Sequence, residues 1–274
     1  MRYLRVTSLP EALEAKARLG RSGLVHAGGT DLVPMIRGLD QGSTILDISA
    51  VADLAYLEKA GGKVRIGPLV THARLAGSRA ADVLADAAAS VGSPQIRAMG
   101  TVGGNVCNAS PCADVVPALV ACGAVLEIRS AAGERKVAIE DFLKGPYLTD
   151  LRDDEILAGI EMRDPVGART AFLKLGRRNA CSISRMNFAV VGWLDGTLRD
   201  VRVAAGSVAP TARRFPEVEG ILEGQVPGRE VFDEAGRAMS RCMIAAAGRR
   251  WSTPYKEPVA AALTRRVLEG AFDG

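Results

Sequence analysis

Aromatic residues make up only 4% of the chain, so its core must rest on Ala, Val, Leu and Ile. No apolar run approaches the ~20 residues that a membrane span requires. The opening Met1-Arg2-Tyr3-Leu4-Arg5 lacks the apolar segment and cleavage site of a secretory signal, so a cytoplasmic location is expected. No concentrated basic face is visible either. The 35 basic and 31 acidic residues are spread along the chain, and Arg213-Arg214, Arg249-Arg250 and Arg265-Arg266 read as solvated pairs. Nucleic acid is therefore not an expected partner.

Metal chemistry is equally short of material. Five cysteines, an odd number without a secretory signal, argue against a disulfide framework. Cys107, Cys112 and Cys122 are spaced too widely at the second gap for a plant-type iron–sulfur cluster. The two histidines are too few to complete a zinc site, so the cysteines read as buried, reduced thiols. The chain contains no G-x-G-x-x-G, no Walker A loop, no G-x-S-x-G, no H-E-x-x-H and no paired acidic motif.

What is present is 274 residues, 48% hydrophobic and 24% charged, enough for two domains of an ordinary globular protein. Ser8 and Glu11 spell a capping box, with Pro10 in the first turn and Gly20 at the end of the helix. Leu24 to Ala27, Thr44 to Ile48 and Lys63 to Gly67 read as strands. The alanine-rich Thr71 to Val91 predicts one long helix, stopped by Gly92-Ser93-Pro94. Ala131-Ala132-Gly133 marks a hairpin, and Ile156 to Met162 alternates as a strand. The turn-rich Arg163 to Gly167 is the expected domain boundary, giving 1–165 (parts about 1–57 and 58–165) and 166–274. Beyond it, strands come first, with Asp195-Gly196 as a hairpin turn, and helices over Phe232 to Ala247 and Pro254 to Leu268 follow. That order is α+β.

Two glycine pairs stand out. Gly28-Gly29 follows a strand and runs into Thr30-Asp31-Leu32. Gly103-Gly104 lies between Thr101 and Asn105 in a polar stretch that reads as a loop and ends at Asp114. Glycine lets backbone approach a ligand closely and tolerates φ > 0, so each pair is either a structural turn or a phosphate cradle. Neither contains Lys or Arg, which points to neutralisation by backbone dipoles. Asp114 reads as a ribose-hydroxyl acceptor or as a helix N-cap. His26 and His72 have no carboxylate spaced as a partner and read as structural. Arg177-Arg178 reads as a solvated strand end beside Lys174, with an anionic ligand as the alternative.

Ala27-Gly28-Gly29-Thr30-Asp31-Leu32, Gly92 to Arg97, and Thr101-Val102-Gly103-Gly104-Asn105 through Asp114 closely resemble the FAD-binding medium subunit of the xanthine dehydrogenase and carbon monoxide dehydrogenase family. Phe172 to Arg178 and Ser252 to Leu268 resemble that family's C-terminal domain, so the likeness spans nearly the whole chain in order. It implies a two-part FAD domain of the vanillyl-alcohol-oxidase type, then a domain with a small antiparallel sheet and helices. By the same resemblance Ala27 to Leu32 form one FAD-diphosphate loop, Thr101, Gly103, Gly104 and Asn105 the second, and Asp114 a ribose or diphosphate contact. Leu157 matches a residue near the adenine, and Lys174 a lysine near the flavin.

The resemblance further implies two partners, a small subunit with [2Fe-2S] clusters and a large subunit with the molybdenum cofactor, assembled as a dimer of heterotrimers. Substrate is hydroxylated at molybdenum and electrons pass by way of the clusters to FAD and on to an acceptor. The alternative is a self-sufficient FAD-dependent oxidoreductase, for which the chain shows neither a substrate pocket nor a general base. Many members have Asp-Ile after the Arg-Arg segment, where this chain has Ser182-Ile183.

Overall fold

Strands Arg2–Arg5, Gly23–His26 and Thr44–Asp47 form a three-stranded parallel sheet with Thr44–Asp47 in the centre. The computed structural model describes residues 1–38, 42–78 and 80–273. Parallel neighbours need a crossover, and helix Leu9–Leu19 supplies the first. Its start is set as the sequence predicts: Glu11 N–H donates to Ser8 Oγ at 3.4 Å, and the Glu11 carboxylate accepts from Thr7 N–H at 3.0 Å. Leu9, Ala12 and Ala15 pack with Leu46, Ile48, Val51 and Leu54 as one small core.

A five-stranded antiparallel sheet follows, in the order Leu57–Ala60, Lys63–Ile66, Ile156–Arg163, Val125–Ser130, Gly133–Ala138. The last strand in sequence occupies the middle and joins the two parts. Ile156 and Ala158 belong to the N-terminal core, whereas Leu157, Ile160 and Met162 belong to the core of the second part. A register shift between Leu157 and Gly159 changes the parity of the strand, which is how residues 157, 160 and 162 come to face the same way.

The C-terminal sheet runs Arg169–Leu175, Met186–Asp195, Thr197–Gly206, Arg213–Arg214, all antiparallel, with Gly196 at φ 64° in the expected Asp-Gly turn. Both its faces are buried. Ala189, Val191 and Ala204 join the core of the preceding domain, while Phe188, Val190, Val203 and Ala205 pack under helices Pro216–Leu222, Arg229–Ala247 and Thr253–Phe272. The architecture is α+β, as the order of elements predicts.

Two expectations need correction, and one linking helix was not expected. The alanine-rich segment is two helices, His72–Ala76 and Asp82–Ala89. Gly77 caps the first by donating to Ala73 O, and the Ser78 hydroxyl takes Leu75 O; Arg79 lies outside the described residues. The link between Ser93 and Gly100 is itself a helix, Pro94–Met99, capped by Ser93 Oγ. The polar stretch after Thr101 is also helical, Val102–Asn108, because the Thr101 hydroxyl caps it and Gly103 fits against Pro68. The first strand and helix Pro216–Leu222 had no sequence signal strong enough to name them.

Candidate functional site

The first glycine pair sits where strand Gly23–His26 leaves the parallel sheet. Ile48 N–H donates to His26 O at 2.9 Å, and the chain then turns through Gly29 at φ 70° into the short helix Leu32–Met35. Val33 N–H closes that turn on Gly29 O at 2.9 Å. Among the described residues, the backbone N–H groups of Gly28, Gly29, Thr30, Asp31 and Leu32 have no acceptor within the chain. Consecutive N–H donors around a left-handed residue form a nest that holds an anion without any side-chain cation.

The segment that leads into the second pair packs against it. A Cβ on Gly28 would lie 1.9 Å from Met99 O, and one on Gly100 would lie 3.3 Å from Thr30 Oγ1, so the two glycine segments abut directly. The second segment differs in kind from the first. Val102 N–H donates to Val70 O and Gly103 N–H to Pro68 O, both at 2.9 Å, and Gly104 N–H donates to Thr101 Oγ1 at 3.1 Å. Its backbone donors are thus used by the protein. What it offers a ligand is the exposed face of Gly104; the neighbouring Asn105 Oδ1 is buried and has no hydrogen-bond partner.

Two histidines border this junction. His26 Nδ1 lies 3.2 Å from Asp47 Oδ1, a partner invisible in the sequence because it comes from the paired strand, where His26 and Asp47 are in register. Burial alone would raise the Asp47 carboxyl, but hydrogen bonds from Tyr3, Ser49 and His26 hold it below the ordinary range. His72 is 3% exposed and its Nδ1 has no partner; burial, and then the charge of Arg97, push the imidazole down to about 4. It stays neutral near pH 7.

Asp114 does not take the helix N-cap role that was one of its two expected roles. Its side chain makes no cap to helix Val115–Ala121. Instead it accepts from Lys174 Nζ at 2.6 Å, from Asn187 Nδ2 at 3.0 Å and from Ser184 Oγ, all from the C-terminal domain. Lys174 also donates to Ser90 O at 2.9 Å. Ser184 and Asn187 were not readable as site residues, since some 70 residues separate them from Asp114. Leu157 is buried in the core of the second part. Arg177 and Arg178 are exposed, and Arg178 donates to Ala180 O and Cys181 O. Among the described residues, no group of three His, Cys, Asp or Glu side chains is placed to hold a metal ion, and no helix is long and apolar enough to cross a membrane.

Residues 1–162 match the family model described as the FAD binding domain in molybdopterin dehydrogenase, and residues 171–271 match the CO dehydrogenase flavoprotein C-terminal domain. The chain belongs to this FAD-binding family. It is 30% identical to the nicotine 6-hydroxylase medium subunit of Paenarthrobacter nicotinovorans, covering 98% of this chain and 96% of that one. It is 28% identical to the carbon monoxide dehydrogenase medium chain of Afipia carboxidovorans, covering 98% and 96%. The solved carbon monoxide dehydrogenase from Hydrogenophaga pseudoflava superposes with a TM-score of 0.91 at 28% identity over 99% of this chain and 96% of that one. The protein is accordingly an FAD-binding medium subunit, the flavoprotein component of a multi-subunit oxidoreductase of the molybdenum hydroxylase type.

The residues fit that cofactor. A diphosphate suits the Gly28–Leu32 nest, which has donors and no side-chain cation. The open face of Gly104 lets a ligand pass close to helix Val102–Asn108.

Proposed function

We propose that FAD is held between the Ala27-Gly28-Gly29-Thr30-Asp31-Leu32 nest and Thr101, Gly103, Gly104 and Asn105, with Leu157 on the adenine side and Asp114 and Lys174 toward the sugar and flavin. The observation that carries this is the run of five unpaired N–H groups from Gly28 to Leu32, on a segment that abuts Met99 and Gly100 just before the second glycine pair. The nest takes the diphosphate, Asn105 and Thr101 supply side-chain polarity opposite it, and the domain of residues 166–274 closes on the pair Asp114–Lys174. The division at residue 165 is supported by family matches that end at 162 and resume at 171.

Bound FAD supplies reversible one- and two-electron chemistry. This chain's part is to bind and orient it between an electron donor and an external acceptor. The donors in this reading are [2Fe-2S] clusters on a small partner subunit, fed by a large subunit with the molybdenum cofactor, in a cytoplasmic dimer of heterotrimers. Support comes from relatives named as medium subunits and from a solved relative described as a Cu,Mo-CO dehydrogenase. The test is co-purification from the native host. Expected are flavin absorbance, FAD released on denaturation, and two partner polypeptides carrying iron and molybdenum. Substrate turnover by the isolated chain would favour a self-sufficient oxidoreductase instead, and a colourless chain with no affinity for FAD would overturn both.

A further inference from the structure

We propose that Ser184 and Asn187 are positioning residues that decide which oxygen of Asp114 meets the cofactor, and that the group recognised there is a neutral hydroxyl of FAD. This rests on the FAD reading above. An ionised carboxylate accepts about four hydrogen bonds, two per oxygen. Asp114 Oδ1 accepts from Ser184 Oγ and from Asn187 Nδ2, so it is full. Oδ2 accepts only from Lys174 Nζ, at 2.6 Å. The remaining capacity of the carboxylate therefore lies on Oδ2.

The same count applies to the lysine. An ammonium has three N–H groups, and Lys174 uses two, on Asp114 Oδ2 and on Ser90 O. One acceptor site and one donor remain, on two atoms 2.6 Å apart. A hydroxyl serves both, accepting from Lys174 and donating to Asp114 Oδ2. A phosphate at neutral pH has little proton to give and would meet the carboxylate charge at short range. The diphosphate is better served by the Gly28–Leu32 nest.

Neither positioning residue reaches a ligand itself, since Ser184 is 3% and Asn187 0% exposed. Each is fixed from behind. Asn187 Nδ2 also donates to Ala113 O at 2.9 Å, and its Oδ1 fills the space above its cross-strand partner Gly206, where a Cβ would lie 2.4 Å away. The Ser184 carbonyl accepts from Ser207 Oγ at 3.3 Å, and that hydroxyl also contacts Pro111 O at 3.2 Å. Without Ser184 or Asn187, Oδ1 regains capacity and the carboxylate is free to rotate away from the geometry it shares with Lys174.

The experiment uses the full-length chain, stripped of flavin and titrated with FAD and with FMN by flavin fluorescence. Ser184→Ala and Asn187→Ser are each expected to weaken FAD binding about tenfold. Val218→Ala, which hollows the C-terminal core away from Asp114, serves as the structural control and is expected to keep FAD affinity within about twofold despite a lower melting temperature. FMN distinguishes the source of the hydroxyl. Equal weakening of FMN assigns it to the ribityl chain, and unchanged FMN affinity assigns it to the adenosine ribose. FAD affinity retained in both variants, or lost no more than in Val218→Ala, overturns the proposal while leaving the FAD reading intact. A wild-type chain without FAD affinity overturns both.

Discussion

A Cβ built on Gly103 would lie 2.4 Å from Pro68 Cβ and 2.7 Å from Pro68 O, whereas one on Gly104 meets only Thr101 Oγ1, at 3.0 Å. The two neighbours therefore answer differently to substitution. Gly103→Ala is expected to lose stability, by roughly 1–3 kcal/mol of overpacking, with FAD affinity falling only as the fold does. Gly104→Val is expected to fold normally and fail to retain FAD, because its branched side chain projects from the exposed face of the helix, where the proposed diphosphate passes. Thermal melts and flavin-to-protein ratios on the two variants separate these outcomes. His72 gives a second prediction at this scale. Its folded value of about 4 lies below the ordinary 6.5, so between those pH values the unfolded chain binds a proton that the folded chain refuses. Stability then falls as pH drops from 6.5 to 4, by about 3 kcal/mol, and this contribution is flat outside that window. The difference between wild type and His72→Leu, followed by urea denaturation across pH, should show that slope.

At the level of elements, one arginine holds a hairpin to the strand it must pair beside. Arg135, on strand Gly133–Ala138, donates from Nε and Nη2 to the two Glu155 oxygens at 2.7 and 2.8 Å, and from Nη1 to Asp150 at 2.7 Å. Glu155 is 4% exposed and directly precedes the central strand Ile156–Arg163. The Arg135 hydrogen bonds outweigh burial and hold the Glu155 carboxyl below its ordinary value. Arg135→Met leaves that buried carboxylate with only the Arg152 N–H and the exposed Arg152 side chain near it, and is expected to cost about 3 kcal/mol. Arg135→Lys keeps the charge, loses the planar fork and should fall between; chemical denaturation of the pair checks the order. The same scale shows what the sequence could convey. Ser8 with Glu11, the Asp195-Gly196 turn and the two long terminal helices are local signals, and each element formed where its own residues predict. The Thr71–Val91 segment shows the limit, because alanine favours helix at every position while Gly77 and Ser78, with local capping bonds, decide where it breaks.

For the whole molecule, the C-terminal sheet is the common wall of two cores. Ala189, Val191 and Ala204 on one face and Phe188, Val190 and Val203 on the other make it hard for either domain to melt alone. A single calorimetric transition is expected for the full chain. FAD at ~100 times its Kd should add about 2.7 kcal/mol and raise that transition by roughly 5 °C. Two separate transitions, only one of them sensitive to FAD, would contradict the shared wall. The order of strands and helices, the glycine pairs and the family likeness lie in the residues themselves, because caps, turns and alternation act over a few positions. The use of each glycine does not. Gly28 and Gly103 are small because Met99 and Pro68 sit against them, whereas Gly104 lies on an open face where a Cβ would meet only Thr101 Oγ1, and only packing separates these cases. His26 meets Asp47, and Asp114 meets Lys174, Ser184 and Asn187, only once strand register and domain closure bring distant segments together. A hydrogen bond is a matter of a few ångströms in space, and separation along the chain does not report it.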